Sequence, residues 1–247
     1  MSNMPNQFGG AFGSRAGSGL DYESRADSLT VGQFFNMVYA WMCVGLALTA
    51  VVGWYVAQTP ALLNMIYASR GGYLVIGLAA FAIAMIVQSQ VERLSVGAST
   101  ALFLVYATII GALIAGIFKI YPARTLFAAF VLTGGTFGAM SVYGFVTKRD
   151  LSRMGSIFIM LAFGFVIASF VNLWLASNAL SWVITYAILI LFIGITAYET
   201  QMLRKIAVHY AHDRQMATRY AIVGSLVLYI SFINLFLSIL RILGDRR

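Results

Sequence analysis

The chain has 247 residues, of which 61% are hydrophobic and 10% are charged, and its mean hydropathy is +0.87. This composition excludes an ordinary water-soluble domain and predicts an integral membrane protein. The apolar runs are continuous rather than alternating, which indicates membrane-spanning helices. The formal net charge of +8 comes from bases in short connections between these runs, so we expect no nucleic acid as a partner.

The first segment of the chain, residues 1–30, differs from the rest in composition. It is rich in Gly, Ser and Asn, and it lacks the basic start, apolar centre and cleavage site of a secretory signal. We interpret it as a flexible polar N-terminal tail. Residues 31–247 then form a single transmembrane domain.

Seven apolar segments follow, each close to the roughly 20 residues that a helix needs to cross the hydrocarbon of a bilayer. Charged residues, Pro or polar groups separate most of them, and the break near residues 176–178 is the weakest. The sequence predicts an all-α integral membrane protein with spans at about 33–57, 72–90, 96–118, 124–146, 154–174, 180–203 and 220–243.

The distribution of Lys and Arg favours one orientation. With the N-terminus in the cytoplasm, ten of the sixteen bases lie on the cytoplasmic side, as the positive-inside rule requires. Seven spans would then place the C-terminus outside the cytoplasm. The bases near the C-terminus favour the cytoplasmic side instead, so the side of the C-terminus stays open: Arg241, Arg246 and Arg247.

Small residues at a spacing of four predict close helix packing at two places, Gly111 with Ala115 and Gly134 with Gly138. Asp150, just before the fifth span, is a candidate cap for that helix.

Glu199 stands out among the eight acidic residues because it closes the apolar run SWVITYAILILFIGITAY. A carboxylate at membrane depth costs free energy and is therefore a functional candidate. The alternative is structural: Arg204 and Lys205 follow within about two turns, and either could pair with Glu199 near the headgroups.

Polar side chains also recur on one face of the last span. Their spacings of three and four residues place them on a single stripe, which should face protein or water rather than lipid: Ser231, Asn234, Ser238 and Arg241. A matching face of the sixth span contains Thr185, Phe192, Thr196 and Glu199. We expect a wet or hydrogen-bonded seam between these two spans; hydrogen bonds that only hold the helices together are an equal alternative.

Other chemistry finds little support in the sequence. There is no phosphate-binding P-loop, no GxSxG elbow and no HExxH motif. The single cysteine, Cys43, lies within an apolar run. We therefore expect no enzyme activity and no bound cofactor.

Four segments together resemble the Bax inhibitor 1 family, also called the transmembrane Bax inhibitor motif family: TKRDLSRMGSIF, ASFVNLWL, GITAYETQMLRKI and VLYISFINLFLSILRILG. The resemblance covers residues 30–247 and is strongest to the bacterial, YccA-like branch. It implies seven membrane helices, with the last one surrounded by the other six. It also implies a pH-dependent calcium leak, and in eukaryotes a role in suppressing cell death.

The resemblance further implies an ion and proton site. In the calcium-leak members, one acidic residue near the end of helix six and another in helix seven sense protons and gate the pore. Tyr198 and Glu199 match the first motif, whereas Ser231 occupies the position of the second acid. The expected site is Glu199, with calcium as a candidate ion, and with Ser231 and Asn234 as neighbours. Arg241 is a candidate gate or charge partner, or alternatively an anchor at the helix end.

The same branch implies a second function. Some of its members are partners and modulators of a membrane-anchored ATP-dependent protease, a role that needs no ion pathway and that would use the N-terminal tail. In both cases we expect a multi-pass protein of a bacterial inner membrane, in contact with the lipid bilayer and with its N-terminus in the cytoplasm.

Overall fold

The computed structural model describes residues 13–67 and 70–244, with side chains over 31–67 and 72–244. Within this part of the chain all regular secondary structure is helical. The described helices are α1 (Gly13–Gln58), α2 (Pro60–Tyr67), α3 (Arg70–Ser89), α4 (Val96–Ile114), α5 (Ile117–Ile120), α6 (Ala123–Val146), α7 (Ser152–Leu175), α8 (Asn178–His209) and α9 (Arg214–Gly244).

The all-α membrane fold is confirmed. Seven helical segments among the described residues are long and apolar enough to cross a membrane, and they coincide with the seven predicted spans. They are α1 from Val31 onward, α3, α4 with α5, α6, α7, α8 and α9. Helix α1 begins within the segment predicted as a flexible tail; residues 1–12 lie outside the described residues, and the flexibility of the tail stays a prediction.

Two predicted boundaries differ from the structure. Helix α8 continues to His209 rather than ending near residue 203, and α9 begins at Arg214 rather than near residue 220. Hydropathy marks where the apolar run ends, whereas the helix continues until something breaks it. No Gly or Pro lies between Leu203 and His209, so α8 extends past the apolar run and carries Arg204 and Lys205 on helical backbone.

The interval between the first two predicted spans contains an additional short helix, α2. It begins at Pro60, where a missing N–H costs nothing because the first N–H groups of a helix have no intrahelical partner. At its end, the Tyr67 hydroxyl donates to the Leu113 carbonyl at 2.6 Å and accepts from the Gly116 N–H at 3.1 Å. This contact satisfies backbone groups at the junction between α4 and α5.

Helix α9 is the most deeply buried span of the described structure. It packs against α1, α3, α4, α6 and α8, while α7 packs on α8 at the periphery. Leu226, Leu228, Tyr229 and Leu235 of α9 are completely buried. The last helix is therefore the centre of the bundle, and α8 is one of the helices in contact with it.

One of the two small-residue pairs lies at a close helix contact. A Cβ on Gly111 would lie 2.8 Å from the Thr49 carbonyl oxygen, so α4 approaches α1 closely at this residue. The prediction for Gly134 and Gly138 is wrong, because a Cβ on either residue meets no atom within 4 Å. The buried face of α6 instead contains Thr133, Phe137, Ser141 and Gly144.

Candidate functional site

Glu199 and Ser231 meet between helices α8 and α9. The Ser231 hydroxyl donates to the Glu199 carboxylate, with 2.6 Å between Oγ and Oε2. Ser231 is completely buried on the central helix, and Glu199 is partly buried. The hydrogen-bonded seam predicted between the last two spans is therefore present at this contact.

The alternative in which Glu199 pairs with a base of its own helix is wrong. Arg204 Nη1 donates to the Phe145 carbonyl at 2.7 Å, and Lys205 Nζ lies 2.8 Å from Asp150 Oδ1. Each residue of an α-helix turns about 100°, so positions five and six residues after Glu199 point to other sides of α8. Among the described residues, Ser231 provides the side-chain hydrogen bond to this carboxylate, and no ion pair forms there.

The other two residues of the predicted site form no hydrogen bond or ion pair with Glu199. Asn234 Nδ2 donates to the Ile230 carbonyl of its own helix at 2.8 Å. The Arg241 guanidinium lies over the Trp182 ring, 5.6 Å from its centroid. Ten residues separate Arg241 from Ser231, about 15 Å along the helix, so this base lies near the opposite end of the seam. Its contact fits an anchor at the helix end, and a gating role stays a prediction.

The residues around Glu199 hold α8 against three helices. A Cβ on Gly144 of α6 would overlap the Ala197 carbonyl oxygen, and a Cβ on Gly155 of α7 would lie 2.6 Å from the Tyr198 hydroxyl. The next residue, Glu199, contacts α9. The absence of side chains at Gly144 and Gly155 therefore lets α6 and α7 approach α8 closely, which fixes the position of the carboxylate relative to the central helix.

Gln201 is a further structural residue that the sequence analysis missed. Its Nε2 donates to the Arg149 carbonyl at 2.7 Å, and its Oε1 accepts from the Leu151 N–H at 2.9 Å. Both ends of one buried amide therefore hold the connection between α6 and α7. Gln201 lies four residues after Ala197, on the side of α8 that faces α6, and this spacing is the signal that could have identified it.

Asp150 lies in the same connection, just before α7. Leu151 is the N-cap residue of this helix, so the prediction of Asp150 as the cap is wrong by one residue. Asp150 instead binds the N–H group of the first residue of α7. Its Oδ1 accepts from the Ser152 N–H at 3.2 Å and from the Lys205 ammonium at 2.8 Å. The hydrogen bond from Lys205 is the largest cause that lowers the pKa of Asp150 to about 2, and Ser152 contributes in the same direction. The acid therefore stays ionised at any physiological pH.

A second buried polar cluster lies between α1, α4 and α9. Thr49 Oγ1 donates to the Ala107 carbonyl at 3.0 Å and forms a 2.6 Å hydrogen bond with the Tyr229 hydroxyl. Tyr106 and Phe103 pack edge-on against the Tyr229 ring. These contacts join three helices through groups that lipid would leave unsatisfied, so we assign the cluster a packing role.

Metal-binding capacity at Glu199 is limited. Ca²⁺ in proteins usually takes six to eight oxygen ligands, whereas this seam offers one carboxylate and one hydroxyl at close range. The described residues contain no group of three or more His, Cys, Asp or Glu side chains that could hold a metal ion. Among the described residues, this seam therefore lacks the set of oxygen ligands that a tightly held Ca²⁺ ion needs.

Comparison with known proteins agrees with the motifs in α6 to α9. The family model described as "Inhibitor of apoptosis-promoting Bax1" matches residues 31–247. The chain is 41% identical over 234 residues to the "Inner membrane protein YbhL" of Escherichia coli strain K12, which covers 92% of this chain and 100% of that protein.

Two other bacteria have similar proteins that are described as uncharacterized. An uncharacterized protein of Deinococcus radiodurans is 41% identical over 216 residues, covering 87% of this chain and 92% of its own length. One from Borreliella burgdorferi is 34% identical over 225 residues, covering 91% and 97%. The match includes every predicted span and both residues of the α8–α9 contact, and the chain belongs to the Bax inhibitor 1 family of membrane proteins.

Proposed function

We propose that this protein is a pH-sensitive cation leak channel, with calcium as the expected ion and the seam between α8 and α9 as the pathway. The observation that carries this proposal is the 2.6 Å hydrogen bond from Ser231 to Glu199. It joins the central helix to its neighbour through a titratable group inside the membrane span. The proposed role is conduction, so no catalytic residue is needed.

The chemistry of the carboxylate explains how pH would act on such a leak. An ionised Glu199 attracts a cation, whereas a protonated one carries no charge and binds a cation poorly. A carboxylate at this depth also needs a partner, because an unpaired charge in the membrane is costly. In the observed arrangement Ser231 is that partner, and the contact keeps the seam closed; separation of α8 from α9 would expose Glu199 to an entering cation.

Ser231 is the principal departure from the calcium-leak members that the sequence resembles, because these carry a second acid at that position. A pair of acids repel each other and share a proton, which couples their titration. A serine cannot do this, but its hydroxyl can donate to the acid that remains. The proposed channel therefore relies on one titrating residue.

The proposed location is a bacterial inner membrane, with the N-terminus in the cytoplasm. The name of the Escherichia coli relative supports the first part. The excess of Lys and Arg in the connections on the N-terminal side supports the second. Protease cleavage of the connection around Lys148 in inside-out, but not right-side-out, membrane vesicles would test the orientation.

The direct test of the channel is calcium entry into liposomes that contain the purified full-length protein, at several pH values. We expect entry above that of empty liposomes, and we expect Glu199→Gln to abolish it while the yield of folded protein stays the same. Unchanged entry in this variant would exclude Glu199 as the site.

A second candidate function is modulation of a membrane-anchored ATP-dependent protease without ion transport. The presence of Ser231 in place of the second acid favours it, since a lost pair is expected where conduction is no longer required. In that case deletion of residues 1–28 would change degradation of the protease's membrane substrates, and Glu199→Gln would not. Absence of calcium entry at every pH would leave this candidate as the better account.

A further inference from the structure

An open cavity of about 540 Å³ lies beside the connection between α6 and α7, outside the Glu199 site. The connection forms one wall, and the last two turns of α8 form the other. Most of its charged lining is basic: Lys148, Arg149, Arg204, Lys205 and His209, with Asp150 as the acid. The cavity therefore has the sign of charge that attracts an anion.

The pairing within the cavity leaves several bases uncompensated. Lys205 binds Asp150 at 2.8 Å, so these two charges largely cancel. Arg204 uses Nη1 for the Phe145 carbonyl, but its positive charge has no acid beside it. Lys148 and Arg149 are exposed, and their side chains have no hydrogen-bond or ion-pair partner among the described residues. Three positive charges thus remain for a ligand.

The position of the cavity indicates where an anion would come from. The apolar part of α6 ends immediately before it, and Phe145, Val146 and Val208 expose 37%, 66% and 53% of their surface. In a membrane, such side chains face acyl chains, while the bases one turn away lie at the depth of the headgroups. A soluble anion would make no favourable contact with these apolar side chains. A lipid can place its headgroup against the bases and its acyl chains against the apolar side chains at the same time.

We propose that this cavity binds the phosphate of an anionic lipid headgroup, with Lys148, Arg149 and Arg204 as its ligands and Phe145, Val146 and Val208 beside the acyl chains. Basic pockets at the ends of membrane helices are suited to such headgroups. Gln201 supports the site because its amide fixes the Arg149 carbonyl and the Leu151 N–H, and so holds the basic connection against α8.

The test measures lipid binding to the full-length protein in detergent, by native mass spectrometry and by the rise in melting temperature on addition of lipid. The probes are phosphatidylglycerol, zwitterionic phosphatidylcholine and inorganic phosphate. The variant is Lys148→Gln with Arg149→Gln, which removes two unpaired bases and leaves the Lys205–Asp150 pair in place. We expect its affinity for phosphatidylglycerol to fall about fivefold for each base removed.

Two control variants separate this site from general charge effects. Lys119→Gln with Arg124→Gln removes the same number of exposed bases near the opposite end of α6, and should bind phosphatidylglycerol as the natural chain does. Lys148→Arg with Arg149→Lys keeps both charges and should also bind normally. An unchanged melting temperature of the glutamine variant without added lipid would show that its loss of binding does not come from misfolding.

Three results would overturn the proposal. The first is equal affinity of the natural chain for phosphatidylglycerol and phosphatidylcholine. The second is an equal loss of affinity for phosphatidylglycerol in the glutamine variant and in the control variant with Lys119→Gln and Arg124→Gln. The third is an equal rise in the melting temperature of the natural chain with millimolar inorganic phosphate and with phosphatidylglycerol, if the glutamine variant loses both effects. This result would assign the cavity to a soluble anion.

Discussion

Five consecutive residues of α8, Ala197 to Gln201, contact four different parts of the molecule. Ala197 meets α6, Tyr198 meets α7, Glu199 meets α9, and Gln201 binds the connection between α6 and α7. Thr200 adds a long hydrogen bond of 3.5 Å to Ser141 of α6. In the sequence AYETQ, one small, one aromatic, one acidic and two polar residues therefore each contact a different residue of the surrounding helices and connection.

The buried amide of Gln201 holds the connection between α6 and α7. Gln201→Met keeps the side-chain volume but removes one donor and one acceptor, leaving the Arg149 carbonyl and the Leu151 N–H without partners. We expect a loss of about 1–3 kcal/mol in the free energy of unfolding. The melting temperature in detergent should fall by about 2–4 °C for each kcal/mol.

The matched control is Gln88→Met. Gln88 is exposed and donates only to the Ala84 carbonyl of its own helix, so its replacement should change the melting temperature little. Equal melting temperatures for Gln201→Met and Gln88→Met would show that the amide of Gln201 does not hold the connection.

Residue-level prediction from the sequence succeeds where helical spacing and the family motif point to the same residues. The positions of Glu199 and Ser231 on facing helices follow from both. The spacing of Asn234 and Arg241 is equally regular, yet neither forms a hydrogen bond or ion pair with Glu199. Arg241 lies about 15 Å from Ser231 along the helix, and Asn234 donates to the Ile230 carbonyl of its own helix. The role of Gln201 depends on the path of a connection that periodicity does not describe.

At the scale of the helices, the crossing of α6 and α8 places the carboxylate. The crossing occurs at Gly144, where a Cβ would overlap the Ala197 carbonyl oxygen. Gly144→Ala should therefore push the helices apart and lower the free energy of unfolding by about 1–3 kcal/mol. A drop in melting temperature in detergent checks this expectation.

Gly138 of the same helix provides the comparison. A Cβ there meets no atom within 4 Å, and alanine favours a helix more than glycine, so Gly138→Ala should be neutral or slightly stabilising. If the two variants melt at the same temperature, the close approach at Gly144 is not a feature of the folded protein.

The connection between α6 and α7 has a predicted pH dependence. The folded state lowers the pKa of Asp150 from 3.8 to about 2, so the stabilisation by its ionised form is complete above about pH 4 and is lost as the pH falls toward 2. We expect Asp150→Asn to melt slightly below the natural chain at pH 7 and at the same temperature near pH 2. Because both partners are exposed, the difference at pH 7 should be small and should shrink in 1 M salt. A difference that stays constant from pH 7 to pH 2 would contradict the assignment.

The number and type of helices could be predicted from hydropathy alone, because lipid requires continuous apolar helices. Their contacts could not. Gly134 and Gly138 have the same spacing as Gly111 and Ala115, yet only the second pair lies at a close helix contact. Small residues permit close approach on any face of a helix, and the position of the neighbouring helices decides which face is used. Helix α2 was missed for a related reason, since eight residues are too few for a periodic signal.

For the whole molecule, the arrangement around α9 explains how a single contact can control a pathway. The central helix packs against α1, α3, α4, α6 and α8, and much of its surface is buried. Most of these contacts are apolar, and the hydroxyl of Ser231 binds the acid that lies within a membrane span. A change of charge at Glu199 therefore acts directly on the interface between α8 and the centre of the bundle.

If the Glu199 carboxylate controls cation passage between α8 and α9, calcium entry into liposomes from pH 5 to pH 8 must depend on this residue. The comparison includes the natural chain, Glu199→Gln and Ser231→Ala, which keeps the acid but removes its hydrogen bond. We expect pH-dependent entry for the natural chain and higher but still pH-dependent entry for Ser231→Ala. For Glu199→Gln we expect entry no greater than that of empty liposomes. Equal entry through the natural chain and Glu199→Gln at every pH would contradict control of cation passage by this carboxylate.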